Sequence, residues 1–177
     1  VSRIVTSINY IEDIDSLRFA LSAIEFDVMK QQPHFPGYPF FCYILNFLNG
    51  ITDNIGLSFS VIGGISIFFT CFYLMKIAEL LMPSKQKWLI CLLLFCHPFL
   101  WLMSNRYMPD IMGLSILIAA TFYMKKAIEN QKVSNLILIS ILIGIECGVR
   151  LSYLPFFIPI IYFLKPFKNT FPRLILG

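Results

Sequence analysis

From Ile55 to Met75 the chain carries no charged residue, and Lys76 closes the run. About 20 apolar residues rising 1.5 Å each span a hydrocarbon core of about 30 Å. Such a run belongs either to the core helix of a large soluble protein or to a membrane span. Composition decides between them. Charged residues make up 14% of the chain and hydrophobic residues 58%, whereas a soluble domain carries about 25% charged residues to coat its surface. Too little polar surface is present to wrap the chain in water, so lipid must be part of its solvent. The net charge of +4 comes from short basic clusters between apolar runs. These are topology signals, and no nucleic-acid partner is implied. The cysteines (Cys42, Cys71, Cys91, Cys96 and Cys147) lie in or beside apolar stretches at irregular spacing. They are read as small buried hydrophobes, with no metal or disulfide framework.

The remaining apolar stretches follow the same logic. Trp88 to Asn105 is a second candidate span, with Trp88 and Trp101 placed as interface anchors. Ile111 to Met124 is a third, extended by Met108 and Ala127. Val133 to Leu164 is interrupted by Glu146, Gly148 and Arg150 and is expected to form two short or tilted helices meeting near Arg150. Gly37 to Ile51 is too brief to cross and is expected to lie in the interface. The expected architecture is all-α: a polytopic transmembrane helical bundle whose first loop faces outward and contains short interfacial helices. Residues 1–54 form that loop and 55–177 about five spans. A chain opening on Val1 and closing on an apolar stretch is expected to be a fragment of a longer protein.

Lysines orient the bundle. Lys85 and Lys87, then Lys125, Lys126 and Lys132, then Lys165, Lys168 and Arg173 fill connections separated by two spans each. They share the cytoplasmic face. The acidic stretch Glu12 to Asp27, which holds half of the acidic residues, therefore faces outward with Asn105–Asp110 and Glu146–Ser152.

Each polar residue of these segments has a plain reading. Acids on a loop are solvated, Pro33, Pro36 and Pro39 stiffen a connector, and Asp110 caps the following helix. Arg106 and Arg150 are snorkelling anchors, or Arg150 pairs with Glu146 four residues earlier. His97, ahead of Pro98, ends a helix. What favours function is that ionisable residues at membrane depth are costly and gather where chemistry occurs. Asp13-Ile14-Asp15 supplies oxygen ligands for a divalent cation, if one is bound.

The order of these segments resembles the GT-C superfamily of polytopic glycosyltransferases, including its protein O-mannosyltransferase and aminoarabinose-transferase branches. Asp15-Ser16-Leu17-Arg18-Phe19 is similar to the Asp-Glu-x-x-Tyr helix of that family, with Ser for Glu and Phe for Tyr. His34-Phe35-Pro36-Gly37-Tyr38-Pro39 is similar to its His-Pro-Pro-Gly-Tyr-Pro turn, with Phe35 for the first proline. Asn105–Asp110 resembles its second outward acid at the head of a span, and Gly148–Pro155 a later arginine-bearing segment.

The resemblance implies transfer of a sugar from a polyprenyl-phosphate donor to a lipid, glycan or protein acceptor outside the membrane, with inversion. It assigns Asp15, or else Asp13, as general base. It places Arg106, Arg150 and His34 at the leaving phosphate, with Tyr38 and Asp110 among the substrate-binding residues. A divalent cation is possible, held by Asp13 and Asp15; the isoprenoid tail would lie in an apolar groove between spans, and membrane lipids surround the bundle. The alternatives are a multi-span transporter or lipid flippase using Glu146 and Arg150, and a structural subunit of a membrane complex.

Overall fold

The computed structural model describes residues 2–81, 87–130 and 132–163. These form helices α1 (Ser2–Val5), α2 (Ile14–Ser22), α3 (Pro39–Thr52), α4 (Ile55–Leu81), α5 (Lys87–Cys96), α6 (Pro98–Met103), α7 (Asp110–Asn130), α8 (Val133–Val149) and α9 (Phe157–Phe163). A 3-10 stretch, Leu151–Phe156, joins α8 to α9. Among the described residues there is no strand, only one bridge between Asp27 and Gln32.

Local chemistry sets the boundaries. Pro39 opens α3, where its missing N–H would be unpaired anyway, and Asp53 closes it in the left-handed conformation with its N–H returned to Asn49. Asn54 side-chain oxygen accepts from Leu57 N–H at the start of α4. The expected continuous span over 88–105 is instead two helices. His97 is extended (φ −66°, ψ 119°), because Pro98 lacks a donor and disfavours helical geometry in the residue before it. The interruption expected near Arg150 is present: α8 ends there, with Arg150 extended at φ −156° and ψ 97°.

Two helices, Ile55–Glu79 in α4 and Asp110–Asn130 in α7, are long and apolar enough to cross a membrane. They pack on each other; α8 packs on α7, α1 on α4, and α3 reaches both α4 and α8. A core of Phe19, Phe41, Leu45, Phe59, Ile62 and Tyr107 welds α2, α3 and α4 to the loop before α7. A second core of Ala120, Ala127, Ile139, Phe157 and Ile160 joins α7, α8 and α9. Phe68, Leu92, Leu93, Ile141, Ile158 and Ile161 stay exposed, which a surface tolerates when lipid rather than water meets it. Only Cys42 and Cys71 are the buried hydrophobes the sequence suggested. Cys96 and Cys147 are exposed, and all five are free.

Backbone approaches at glycine fix the end of the bundle. A Cβ on Gly56 would collide with the Ile8 carbonyl oxygen, and one on Gly63 with that of Ser104. The N-terminal arm and the loop after α6 therefore lie directly on α4. Lys125 and Lys126 lie near the opposite end of α7, and Lys132 precedes α8. Lys85, Lys165, Lys168 and Arg173 lie outside the described residues.

The lysine-derived orientation makes a direct prediction. In a cysteine-free background, an impermeant thiol reagent added to intact cells should label a cysteine placed at the fully exposed Met29. A cysteine at Asn130 should be labelled only after permeabilisation. The reverse pattern would put the acidic loop in the cytoplasm.

Candidate functional site

Three consecutive residues after α6 fasten the N-terminal arm. Asn105 donates from Nδ2 to the Thr6 carbonyl at 3.0 Å and to its hydroxyl at 2.9 Å. Tyr107 donates its hydroxyl to the Ile8 carbonyl at 2.5 Å and stacks on Phe59 with ring centres 4.4 Å apart. Between them Arg106 donates from Nε to Glu12 Oε2 at 2.7 Å, and from Nη2 to Asp13 Oδ2. Hydrogen bonding to Glu12, then the nearby carboxylates, push the Arg106 guanidinium above its usual value. With two of its nitrogens committed, Arg106 acts here as a clamp.

Asp13 is the N-cap of α2, its Oδ1 accepting from Ser16 N–H at 2.7 Å. That backbone hydrogen bond holds its carboxyl below the usual range against the opposing effect of burial, with smaller help from the Ser16 hydroxyl and the Arg106 charge. Asp15 lies in the first turn of α2 and differs: Arg18 Nη1 donates to Oδ1 at 3.2 Å, and Oδ2 has no partner among the described residues. Arg18 Nη2 also donates to Gln31 Oε1 at 2.6 Å, tying α2 to the next turn. There Asp27 Oδ1 accepts from Met29 N–H at 2.9 Å, the local bonding that favours aspartate in turns.

The turn that follows brings His34 and Tyr38 to Asp15. His34 Nδ1 is 3.6 Å from Asp15 Oδ1, and His34 Nε2 is 3.2 Å from the Tyr38 hydroxyl. Both rings pack edge-on against the buried Phe19, at 5.6 and 5.0 Å. Phe19, which stands where the family pattern has tyrosine, is thus the floor under the pair.

On the other side, Arg150 Nη2 meets Asp110 Oδ1 at 2.9 Å. Neither plain reading of these residues holds. Asp110 spends Oδ1 on Arg150 rather than on its own helix's N–H groups. Arg150 does not pair with Glu146, because it has left the helix and the four-residue spacing no longer stacks their side chains. Glu146 is fully buried, and among the described residues neither of its carboxyl oxygens has a hydrogen-bond partner. It lies against Gly113, where a Cβ would come within 2.7 Å of both its Oε1 and the Tyr153 ring. Tyr153 donates to the Asp110 carbonyl at 3.4 Å.

The two halves meet at Tyr38. Burial is the first cause of the rise in its phenol, and the start of α3 lies against the end of α8, where a Cβ on Gly148 would come within 2.8 Å of the Phe40 side chain. Arg106 in turn feels Asp110. The structure therefore gathers Asp15, His34, Tyr38, Asp110 and Arg150 on one face, with Asp13 and Arg106 at its margin. Side-chain exposures run from 20% at Asp110 to 42% at Asp15, which makes it an open face. Both Asp13 oxygens are engaged by donors, Oδ1 by Ser16 N–H and Oδ2 by Arg106. Among the described residues no group of three His, Cys, Asp or Glu side chains is placed to hold a metal ion.

The sequence reading passed over Glu12, Gln31 and Tyr153, and gave Arg18 no role. Asp13 three residues ahead of Ser16 at a helix start was a visible capping signal. Arg18 to Gln31 carried no signal, being a tertiary contact between a helix and a turn.

An all-helical chain with lipid-length helices and a charged face at their ends defines a membrane protein with a polar site at one end of its bundle. The family model for dolichyl-phosphate-mannose-protein mannosyltransferase matches residues 32–172, and the chain belongs to that family. It is thereby a mannosyltransferase-like membrane glycosyltransferase, as the GT-C resemblance implied. The match includes His34, Tyr38, Arg106, Asp110 and Arg150, while Asp13 and Asp15 precede it. No curated protein and no solved structure matches the chain.

The Asp13 geometry predicts a pH signature. A carboxyl with a lowered folded-state value contributes stability above the usual carboxylate range and loses it as pH falls through that lowered value. Asp13→Asn keeps a capping oxygen without the charge, so its melting temperature should lie below wild type at pH 7 and converge with it toward pH 3. Asp13→Ala also removes the cap and should lie about a further 1 kcal/mol below Asp13→Asn at either pH. A gap between wild type and Asp13→Asn that stays constant with pH would contradict the assignment.

Proposed function

We propose that this face transfers a sugar from a polyprenyl-phosphate carrier to an acceptor hydroxyl on the outer side of the membrane, with inversion at the anomeric carbon. The observation that carries the reading is that four separate segments bring the Asp15–His34–Tyr38 group and the Asp110–Arg150 pair to one end of the bundle, where the start of α3 packs on the end of α8. A direct displacement needs base, acceptor, anomeric carbon and phosphate held within contact of one another, and loops at helix ends can meet a lipid carrier and a polar acceptor together.

Asp15 is the base. Arg18 and His34 orient its Oδ1, and Oδ2 takes the acceptor proton as the acceptor oxygen bonds to the anomeric carbon. The bond from that carbon to the phosphate oxygen breaks on the opposite face, and the electron pair leaves with the polyprenyl phosphate. Asp13, capped and clamped, is the poorer base. Arg150 stabilises the departing phosphate, because Asp110 engages only Nη2 and leaves other guanidinium donors for a planar, bidentate contact. Tyr38 donates from the same side, its hydroxyl held by His34 Nε2 at 3.2 Å. The acceptor is a lipid, glycan or protein hydroxyl, and no step requires a metal ion.

The test is transfer by the full-length protein from a lipid-linked mannose donor. Asp15→Asn keeps shape and removes the base, so turnover should fall by roughly 100-fold or more with unchanged membrane insertion. Asp13→Asn should fall much less. Near-normal turnover by Asp15→Asn would remove Asp15 from the role.

A further inference from the structure

Behind the Asp110–Arg150 pair lies an acid that the proposed reaction does not use. Gly113 is one turn past Asp110 on α7, so the two positions share a face of that helix, roughly 5–6 Å apart. Arg150 Nη2 meets the first at 2.9 Å. The Glu146 carboxyl lies against the second, its Oε1 2.7 Å from where a Cβ would stand. Two carboxyls thus occupy neighbouring turns of α7, and Arg150 takes the more exposed one. Its backbone keeps it close to the other, since Arg150 N–H donates to the Glu146 carbonyl at 2.8 Å.

A carboxylate sealed from water without a donor is too costly to persist, and such a group keeps its proton. An apolar side chain would fill the same space without an unpartnered polar group, so the acid needs a reason beyond packing. The charged and titratable groups at this end of the bundle suggest one. Glu146's own helix ends at Arg150, α7 presents Asp110, and the 3-10 stretch presents Tyr153, whose ring shares the Gly113 notch and whose hydroxyl donates to the Asp110 carbonyl at 3.4 Å. The helix α3, which packs on α8, is headed by Tyr38. Arg150 is the only cation in this set.

We propose that Glu146 is a positioning residue for Arg150, a second seat for the guanidinium that its own proton keeps closed. While protonated, Glu146 offers no charge, and Arg150 stays on Asp110 with donors left for the leaving phosphate. Once the proton is lost, a carboxylate sealed from water one turn away competes for the same guanidinium. Arg150 then turns inward, and both Asp110 and the phosphate lose it. The consequence for turnover rests on the transfer reading above, whereas the choice of seat does not.

The experiment measures KM and kcat of the full-length protein for a lipid-linked mannose donor, whose phosphodiester does not titrate in the range, at pH 7 and pH 9.5. Wild-type KM should rise about tenfold or more across that interval, with kcat changing less, as a second carboxylate competing for one guanidinium implies. Glu146→Gln keeps the shape and cannot ionise, so its KM should stay nearly constant. Tyr38 and Tyr153 are present in both proteins, and the difference between the two profiles reports Glu146. Glu146→Met should flatten the profile equally and remains informative if Glu146→Gln does not fold. Neither substitution should lower the melting temperature at pH 7, because each removes a sealed acid that has no partner. A constant wild-type KM, or a rise that survives both substitutions, would overturn the proposal. So would a melting temperature lowered in both variants, as expected if another segment of the chain pairs with Glu146. Binding of a polyprenyl phosphate, compared between wild type and Glu146→Gln at the same two pH values, separates this proposal from the transfer reading. Weakened binding at pH 9.5 in wild type alone, in a protein that transfers no mannose, would support the second seat and contradict the transfer reading. Transfer that depends on Asp15, with identical profiles in wild type and Glu146→Gln, would do the reverse.

Discussion

The ion pair between Asp110 and Arg150 closes the polar end of α7 against α8, and the rest of the face is arranged around it. Asp110 can receive the arginine because it opens α7, just after Pro109, and Arg150 can reach because the backbone turns extended where α8 stops. With each side chain about three-quarters covered, the pair is worth more as a fixed geometry than as net stability. Removing either member would leave the other charge beside a buried, unpaired Glu146. That arrangement holds a cation ready for an anionic group without a strong internal competitor for all its donors.

Environment separates the two aspartates of α2, although they are two residues apart. Asp13 faces the helix's own N–H groups and the Arg106 clamp, and that geometry makes it structural. Asp15 faces His34 and the open side, with one oxygen left free. Two identical side chains thus have different environments from their neighbours alone, and the proposed reaction gives them different tasks, as paired carboxylates in active sites commonly have. The clamp matters to both: Arg106, flanked by Asn105 and Tyr107, anchors the arm from which α2 starts.

Periodicity and length made the lipid-facing part legible. The uncharged run ending at Lys76 and the run headed by Asp110 are the two long helices, because backbone satisfaction in hydrocarbon leaves a helix few other options. The end of α8 at Arg150 was visible as well, since Gly148 and a charge interrupt an apolar run. Pro98 was equally visible, yet length alone carried the reading of 88–105 as one helix, and the proline decided otherwise. Side-chain partners were not legible. Nothing local tells Arg150 to choose Asp110 over Glu146, or Arg106 to choose Glu12 and Asp13. Those choices depend on which helix ends meet, which packing of Phe19, Phe41, Phe59 and Tyr107 decides. The same holds for Trp101, which reads as an interface anchor and instead covers Arg3.

The central claim is that Asp15 and Arg150 serve one reaction although most of the chain separates them. Single-turnover transfer rates of wild type, Asp15→Asn, Arg150→Met and the double variant test it most directly. Residues that act on one transition state lose their contributions together. The double variant should therefore be far less impaired than the product of the two single effects requires. Independent, multiplicative losses, or a normal rate in Arg150→Met, would contradict a shared site.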